Sequence, residues 1–174
     1  GIYGKAVIPD GIVSIGEYAF YMCVNTTSVS IPNTVNEIHH NAFAFCESLD
    51  EFICQGGKFT SELGIMYTDS GKTLERVPCS FKGAFTLKSG VEHISFGAFI
   101  SCGEIESLTL PESVKSFDKG AFSHLIGLVS FSVSDDNTSF SSKEGALLDK
   151  DGKTLLAFPA NINGKYSIPD TVSS

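Results

Sequence analysis

Ile31-Pro32-Asn33-Thr34-Val35-Asn36-Glu37-Ile38-His39-His40-Asn41-Ala42-Phe43-Ala44-Phe45-Cys46-Glu47-Ser48-Leu49-Asp50-Glu51-Phe52-Ile53 is one unit of 23 residues, and most of the remaining chain repeats it. Ile8-Pro9 opens an earlier copy, Leu87-Lys88 and Leu110-Pro111 open two later ones, and Ile168-Pro169 begins a partial one. Superposing the copies produces apolar columns. The first holds Ile8, Ile31, Leu87 and Leu110; the next hold Ile12, Val35, Val91 and Val114, then Ile15, Ile38, Ile94 and Phe117. An Ala-Phe pair follows in every full copy (19–20, 42–43, 98–99, 121–122), then a corner column of Cys23, Cys46, Cys102 and Leu125. Apolar columns at fixed period are what stacked coils require, because each coil buries its inner residues only against its neighbours.

Each unit closes on a segment that alternates polar and apolar residues: Thr26–Ile31, Leu49–Cys54, Ile105–Leu110 and Leu128–Val133. Period two predicts a strand with one face buried. Proline directly after it (Pro9, Pro32, Pro111, Pro169) ends the strand, since it has no N–H for the ladder. Val-x-x-Ile predicts a second short extended piece, and Ala-Phe-x-x-Cys one tight 3₁₀ or helical turn.

The period breaks at 54–86 and again at 133–167. These inserts repeat each other: Gly64 matches Gly145, Gly71-Lys72-Thr73-Leu74 matches Gly152-Lys153-Thr154-Leu155, Pro78 matches Pro159, and Gly83 matches Gly164. Each reads as a β-hairpin turning at Asp69-Ser70-Gly71 or Asp151-Gly152. The whole chain, 1–174, is therefore expected to be one solenoid fragment with coils at 8–30, 31–53, 87–109 and 110–132, a partial coil at 168–174, and two hairpin inserts.

The run Ile-Pro-x-x-Val-x-x-Ile-x-x-x-Ala-Phe-x-x-Cys-x-x-Leu, with the Asp-Gly-Lys-Thr-Leu-x-x-x-Pro inserts, resembles the BspA-type leucine-rich repeat family. It departs from that pattern at Thr26, Leu125 and Lys88. The resemblance implies a β-rich α/β solenoid: a right-handed, horseshoe-like leucine-rich-repeat array with single 3₁₀ or helical turns and β-hairpin inserts. It also implies a cell-surface or secreted setting and a role in adhesion to host or microbial proteins.

Composition narrows the function. The chain is 42% hydrophobic and 18% charged, which supports a continuous core. A net charge of −8 leaves no basic stripe for phosphates or anionic lipid, so neither nucleic acid nor a membrane surface is an expected partner. No apolar run approaches the roughly 20 residues that span a bilayer, so this segment is not expected to insert.

Nothing in the chain reads as catalytic. There is no Gly-x-Ser-x-Gly, and the carboxylates are scattered rather than paired in matching columns. Cys23 and Cys46 share a column, and a coil spacing of about 4.8 Å would permit a disulfide. The column also accepts Leu125, which favours reduced, buried thiols acting as small hydrophobes. Cys54 and Cys79 lie outside that period. His39, His40, His93 and His124 form no column and read as surface residues; neither metal nor cofactor is expected. Asp149-Lys150-Asp151-Gly152 resembles the start of a calcium loop, but its copy Thr68-Asp69-Ser70-Gly71 loses the first carboxylate, so a hairpin turn is the better reading. Asn25-Thr26-Thr27 and Asn137-Thr138-Ser139 have the form of glycosylation sequons.

The strand alternation leaves a hydroxyl-rich outer strip as the candidate binding surface: Ser28, Ser30, Glu51, Ile53, Ser107, Thr109, Ser130 and Ser132. Ile53 is its apolar exception, and the hairpins are the rival site. Two functions follow: a recognition module for a protein or glycan, or a structural spacer holding other domains away from a surface. Interchangeable copies would favour the spacer. Glu51-Phe52-Ile53 against Ser107-Leu108-Thr109 and Ser130-Phe131-Ser132 differ, which favours recognition.

Overall fold

A computed structural model describes residues 3–162; the partial repeat at 168–174 and Gly164 lie outside the described residues. The chain winds as a β-solenoid of about six turns. β1 (Gly4–Val7) precedes coil 1, which holds β2 (Ser14–Ile15) and β3 (Thr26–Ile31). Coil 2 holds β4 (Glu37–Ile38) and β5 (Glu51–Cys54). The first insert forms β6 (Thr60–Glu62), β7 (Ile65–Thr68), β8 (Thr73–Arg76) and β9 (Gly83–Thr86). Coil 4 carries β10 (His93–Ile94) and β11 (Ile105–Leu110), and coil 5 carries β12 (Ser116–Phe117) and β13 (Ser130–Val133). The second insert supplies β14 (Phe140–Lys143), β15 (Ala146–Asp149) and β16 (Leu155–Ala157).

Stacking follows the sequence period. Ser28 pairs with Glu51 and Val29 with Phe52 in parallel register, and Ser107 pairs with Ser130 and Leu108 with Phe131. The middle pieces pair likewise, Ile15 with Ile38 and Ile94 with Phe117. The inner columns fill the core: Phe43, Phe52, Phe99, Ile105 and Leu108 are all at most 1% exposed. Phe43 meets Phe20 at 5.1 Å and Phe52 at 5.1 Å, so aromatic contacts run along the array as well as within each coil.

Helix is nearly absent. Among the described residues the one helical element is a 3₁₀ turn at Asp69–Gly71, so the expected 3₁₀ or helical turn at Ala-Phe-x-x-Cys is corrected. That segment closes instead as a four-residue turn: Cys23, Cys46 and Cys102 each donate N–H to the carbonyl three residues back, at 3.1, 3.4 and 3.1 Å. The third residue of the turn is left-handed in each of these coils (Met22 φ 55°, Phe45 φ 60°, Ser101 φ 65°), and His124 (φ 69°) holds the same place in coil 5. A left-handed residue cannot continue a helix.

The first insert is itself a coil, here coil 3. β8 pairs parallel with β10, Leu74 beside Ile94, and β9 pairs with β11, so the return strand and its exit take the places of the two repeat strands. The expected turn at 69–71 is present, joining β7 and β8 antiparallel. A further hairpin precedes it: β6 and β7 join through Leu63 (φ 50°) and Gly64 (φ 80°), and β14 and β15 through Glu144 and Gly145 (φ 50° and 83°). Two positive φ angles make a type I′ turn, which matches strand twist. Gly64 is required twice over, since a Cβ there would lie 2.9 Å from the Glu51 Cβ.

These hairpins cap the strand sheets. β5 ends the sheet β1-β3-β5, and β13 ends β9-β11-β13. The Gly64 carbonyl accepts the Phe52 N–H at 2.9 Å and Ser61 Oγ the Cys54 N–H at 2.9 Å; Gly145 and Ser142 repeat this on Phe131 and Val133 at 2.8 and 3.1 Å. The edges thereby lose the free donors that invite further pairing.

Candidate functional site

The expected strip does not form a continuous surface, because the hairpin separates its two sheets. Ser28 and Ser30 are buried, at 6% and 4% exposure, which corrects their place in a docking strip. Ser28 lies in register between Lys5 and Glu51, and Ser30 between Val7 and Ile53, so a short side chain on the central strand is shaded by longer ones on both sides. Gln55 Nε2 also reaches Ser30 Oγ at 3.4 Å. Ile53 is half-buried rather than presented to solvent. Ser107, Thr109 and Ser130 are half-buried; Glu51 and Ser132 are exposed.

The second sequon is also corrected. Asn137 is 0% exposed, its Nδ2 donating to the carbonyls of Pro111 and Val114 and its Oδ1 accepting N–H from Ser139 and Phe140. Asp149 is a turn residue: its Oδ1 accepts N–H from Lys153 at 2.7 Å and Thr154 at 3.0 Å, and these bonds hold its carboxyl below the usual range. Among the described residues no group of three or more His, Cys, Asp and Glu is arranged to hold a metal ion.

A better site lies at the corner turns. The left-handed residue faces solvent there: Met22 is 58% exposed and Phe45 40%. Type II turns reserve such a position for glycine or asparagine, so a bulky residue stores of order 1 kcal/mol of strain. Coil 3 breaks the row. Its turn shifts one residue, Phe81 donating N–H to the Pro78 carbonyl, and Cys79 points inward with its Sγ 3.6 Å from the Phe43 carbonyl and 3.7 Å from that of Ile100.

Where coil 3 falls short, its neighbours close over it. The Phe45 N–H of coil 2 reaches Ser101 Oγ of coil 4 at 2.9 Å. Beside that bond lies a cleft of about 300 Å³, with Cys79 at the base and Phe45, Glu47, Glu104, His124 and Ile126 around it. An aromatic ridge leads to it. Tyr18 meets Tyr21 at 5.3 Å, Tyr21 meets Phe45 at 5.6 Å, and Phe45 meets His124 at 6.5 Å, all edge to face. Tyr18, Tyr21 and Ile126 are 52%, 44% and 71% exposed. These side chains make a contiguous exposed apolar surface.

The thiol at the base of the cleft is held protonated. Burial pushes the Cys79 thiol up to about 11, with Glu47 adding to the rise against the Cys46 amide and Arg76. A thiol so raised is no nucleophile at neutral pH. Cys79 also joins the cysteine column between Cys46 and Cys102, a place the broken period concealed. Burial raises Cys46 to about 12 and Cys102 well above its ordinary value. All five cysteines are free thiols. Tyr21, Met22 and Phe45, bulky residues in the variable places of a turn, were the sequence signal for this site.

The sequence profile of the BspA-type leucine-rich repeat region matches residues 4–64 and 78–146, in six copies. The chain belongs to this family. No curated protein matches the BspA-type chain. Solved structures similar to it include a leucine-rich repeat protein from Eubacterium ventriosum ATCC 27560, 24% identical with a TM-score of 0.60 over 97% of this chain and 42% of that one. A leucine-rich cell surface protein from Faecalibacterium prausnitzii A2-165 is 26% identical, TM-score 0.57, over 75% of this chain and 41% of that one. The pneumococcal vaccine antigen PcpA is 22% identical, TM-score 0.55, over 98% and 50%. The BspA-type chain thus spans half or less of each of these relatives.

Proposed function

We propose that this chain is part of a non-catalytic recognition array, displayed at a cell surface or secreted, that binds a protein or glycan partner along its corner. The coils would wind right-handed, as parallel crossovers do. The observation that carries the reading is the run of exposed rings ending in the cleft. Repeat solenoids display binding surfaces along the stack, and leaving the Tyr18, Tyr21 and Phe45 rings exposed to solvent has no role in folding. The corner also differs between copies, with His124 and Ile126 in coil 5 where coil 2 has Phe45 and Glu47. A spacer has no need of such a difference. The Faecalibacterium relative, described as a cell surface protein, supports display.

The test has two parts. Antibody labelling of intact source cells, against lysed cells, reads display; signal only after lysis sinks the surface reading. Screening the array on immobilised host matrix proteins and mucin glycans then reads binding. A partner retained by the native chain is expected to be lost with Tyr21→Ser/Phe45→Ser. Retention by no partner on a displayed array leaves the spacer.

A further inference from the structure

The cleft beside Cys79 carries chemistry that narrows the partner. Its carboxylates are Glu47 and Glu104. Glu104 meets Lys82 at 2.8 Å, both largely solvent-exposed, a pair that is weakly held and readily exchanged. Glu47 has no hydrogen bond or ion pair with any described residue, although it acts electrostatically on the Cys79 thiol at the base. Around these acids stand apolar and aromatic surfaces, Phe45 and Ile126, with the His124 ring 6.5 Å from that of Phe45. A neutral sugar can donate hydroxyls to the carboxylate but gains nothing from its charge. A long side chain with an apolar stem and a cationic head uses both the charge and the apolar wall.

We infer that the cleft seats a basic side chain, arginine above all, of a partner polypeptide. The inference rests on the recognition reading and deepens it. The stem lies along Ile126 and Phe45, the planar guanidinium stacks on the Phe45 ring, and Glu47 accepts its N–H groups. Arginine fits better than lysine because it stacks and is more weakly hydrated. The chain's net charge of −8 draws such a segment toward the surface from a distance. The corresponding place in coil 5 has Ile126 where coil 2 has Glu47, so the cationic seat belongs to this cleft and is not a general property of the corner.

The experiment is an NMR titration of the whole chain with acetyl-Gly-Arg-Gly-amide, using as control the same peptide with citrulline, which keeps the shape and removes the charge. The expected result is saturable shifts confined to Phe45, Ser101, His124 and Ile126, with the citrulline peptide bound about tenfold more weakly, the worth of one charge-assisted hydrogen bond. Glu47→Gln should cost about the same factor, while Glu112→Gln, an exposed control of equal charge, should leave affinity within about twofold. Both positions are exposed, so both variants fold. Equal binding of arginine and citrulline peptides, or shifts spread over the acidic surface and indifferent to Glu47→Gln, would overturn the inference. Binding of methyl β-glucopyranoside in the cleft, unaffected by Glu47→Gln and with no response to arginine, would overturn it too while leaving the recognition reading intact. If the array also binds nothing in the partner screen, that reading falls with it.

Discussion

Arg76 is 2% exposed and forms no ion pair among the described residues, and its removal should loosen the joint between coils 2 and 4. The middle-strand ladder β2-β4 stops at β4 and resumes at β8, and Arg76 spans the break. Its Nη1 donates to the His40 carbonyl at 2.6 Å and the Gly97 carbonyl at 2.9 Å, while Nη2 is buried without a partner. Burial holds the guanidinium pKa below its ordinary value, the mark of a charge that is costly to place there. The matching residue of the second insert is Ala157, so the bridge is particular to this joint. Arg76→Met keeps most of the stem and orphans the His40 carbonyl, at about 1–3 kcal/mol, while the Gly97 carbonyl keeps the Ile100 N–H at 3.0 Å. Relief of the under-partnered charge offsets part of that, leaving a net loss of about 1 kcal/mol. Arg76→Ala also removes two methylenes, about 0.8 kcal/mol apiece, for a total of about 3 kcal/mol. Denaturant unfolding followed by circular dichroism, with hydrogen exchange by segment, reads both the size and the place of the effect, since repeat arrays open locally. Exchange should rise first in 37–46 and 94–100. An Arg76→Met chain as stable as the native one would refute the reasoning and make the arginine a passive buried charge.

The Thr26 hydroxyl is fully buried without a hydrogen bond among the described residues, in a column otherwise filled by Leu49, Ile105 and Leu128. Thr26→Val should therefore stabilise by about 1 kcal/mol in urea unfolding; a loss would mean the hydroxyl is satisfied. Glu92 bridges Lys72 at 3.1 Å and Lys115 at 2.7 Å, and hydrogen bonds from Lys115 and Lys72 hold its pKa low. Because the folded value lies below the unfolded one of about 4.3, the contribution is present at neutral pH and lost as pH falls through the folded pKa. Glu92→Gln should flatten that part of a Tm-against-pH curve, more so at low salt; an unchanged curve speaks against it. With thiols raised to about 12 at Cys46 and about 11 at Cys54 and Cys79, iodoacetamide at pH 8 should leave these three unmodified in the native chain and label them after unfolding. Rapid native alkylation of Cys46, read by mass spectrometry, would contradict the buried column.

Much of the coil geometry was legible in the repeat. Columns such as Ile31, Leu87 and Leu110 recur because neighbouring coils must offer apolar faces at one height, and all three are buried. The inserts were half legible. Asp69-Ser70-Gly71 carries ordinary turn chemistry, but Leu63 at φ 50° is a residue that type I′ turns disfavour, so the first hairpin stayed hidden. Alternation located the outer faces of β3 and β5 but not their exposure, which depends on the length of the side chains one coil away. That is why Ser28 and Ser30 were misplaced. The cleft was missed for a topological reason: it exists because the coil 3 turn is shifted by one residue, and its walls come from four coils.

The most direct test of recognition at the corner is hydrogen–deuterium exchange on the array bound to a partner recovered from the screen. Protection concentrated in 43–47, 99–104 and 123–127, with the strand faces at 107–110 and 130–133 unchanged, is the predicted footprint. Protection confined to those strands, or to the hairpin at 60–68, would contradict it and return the binding surface to the sheet or the insert.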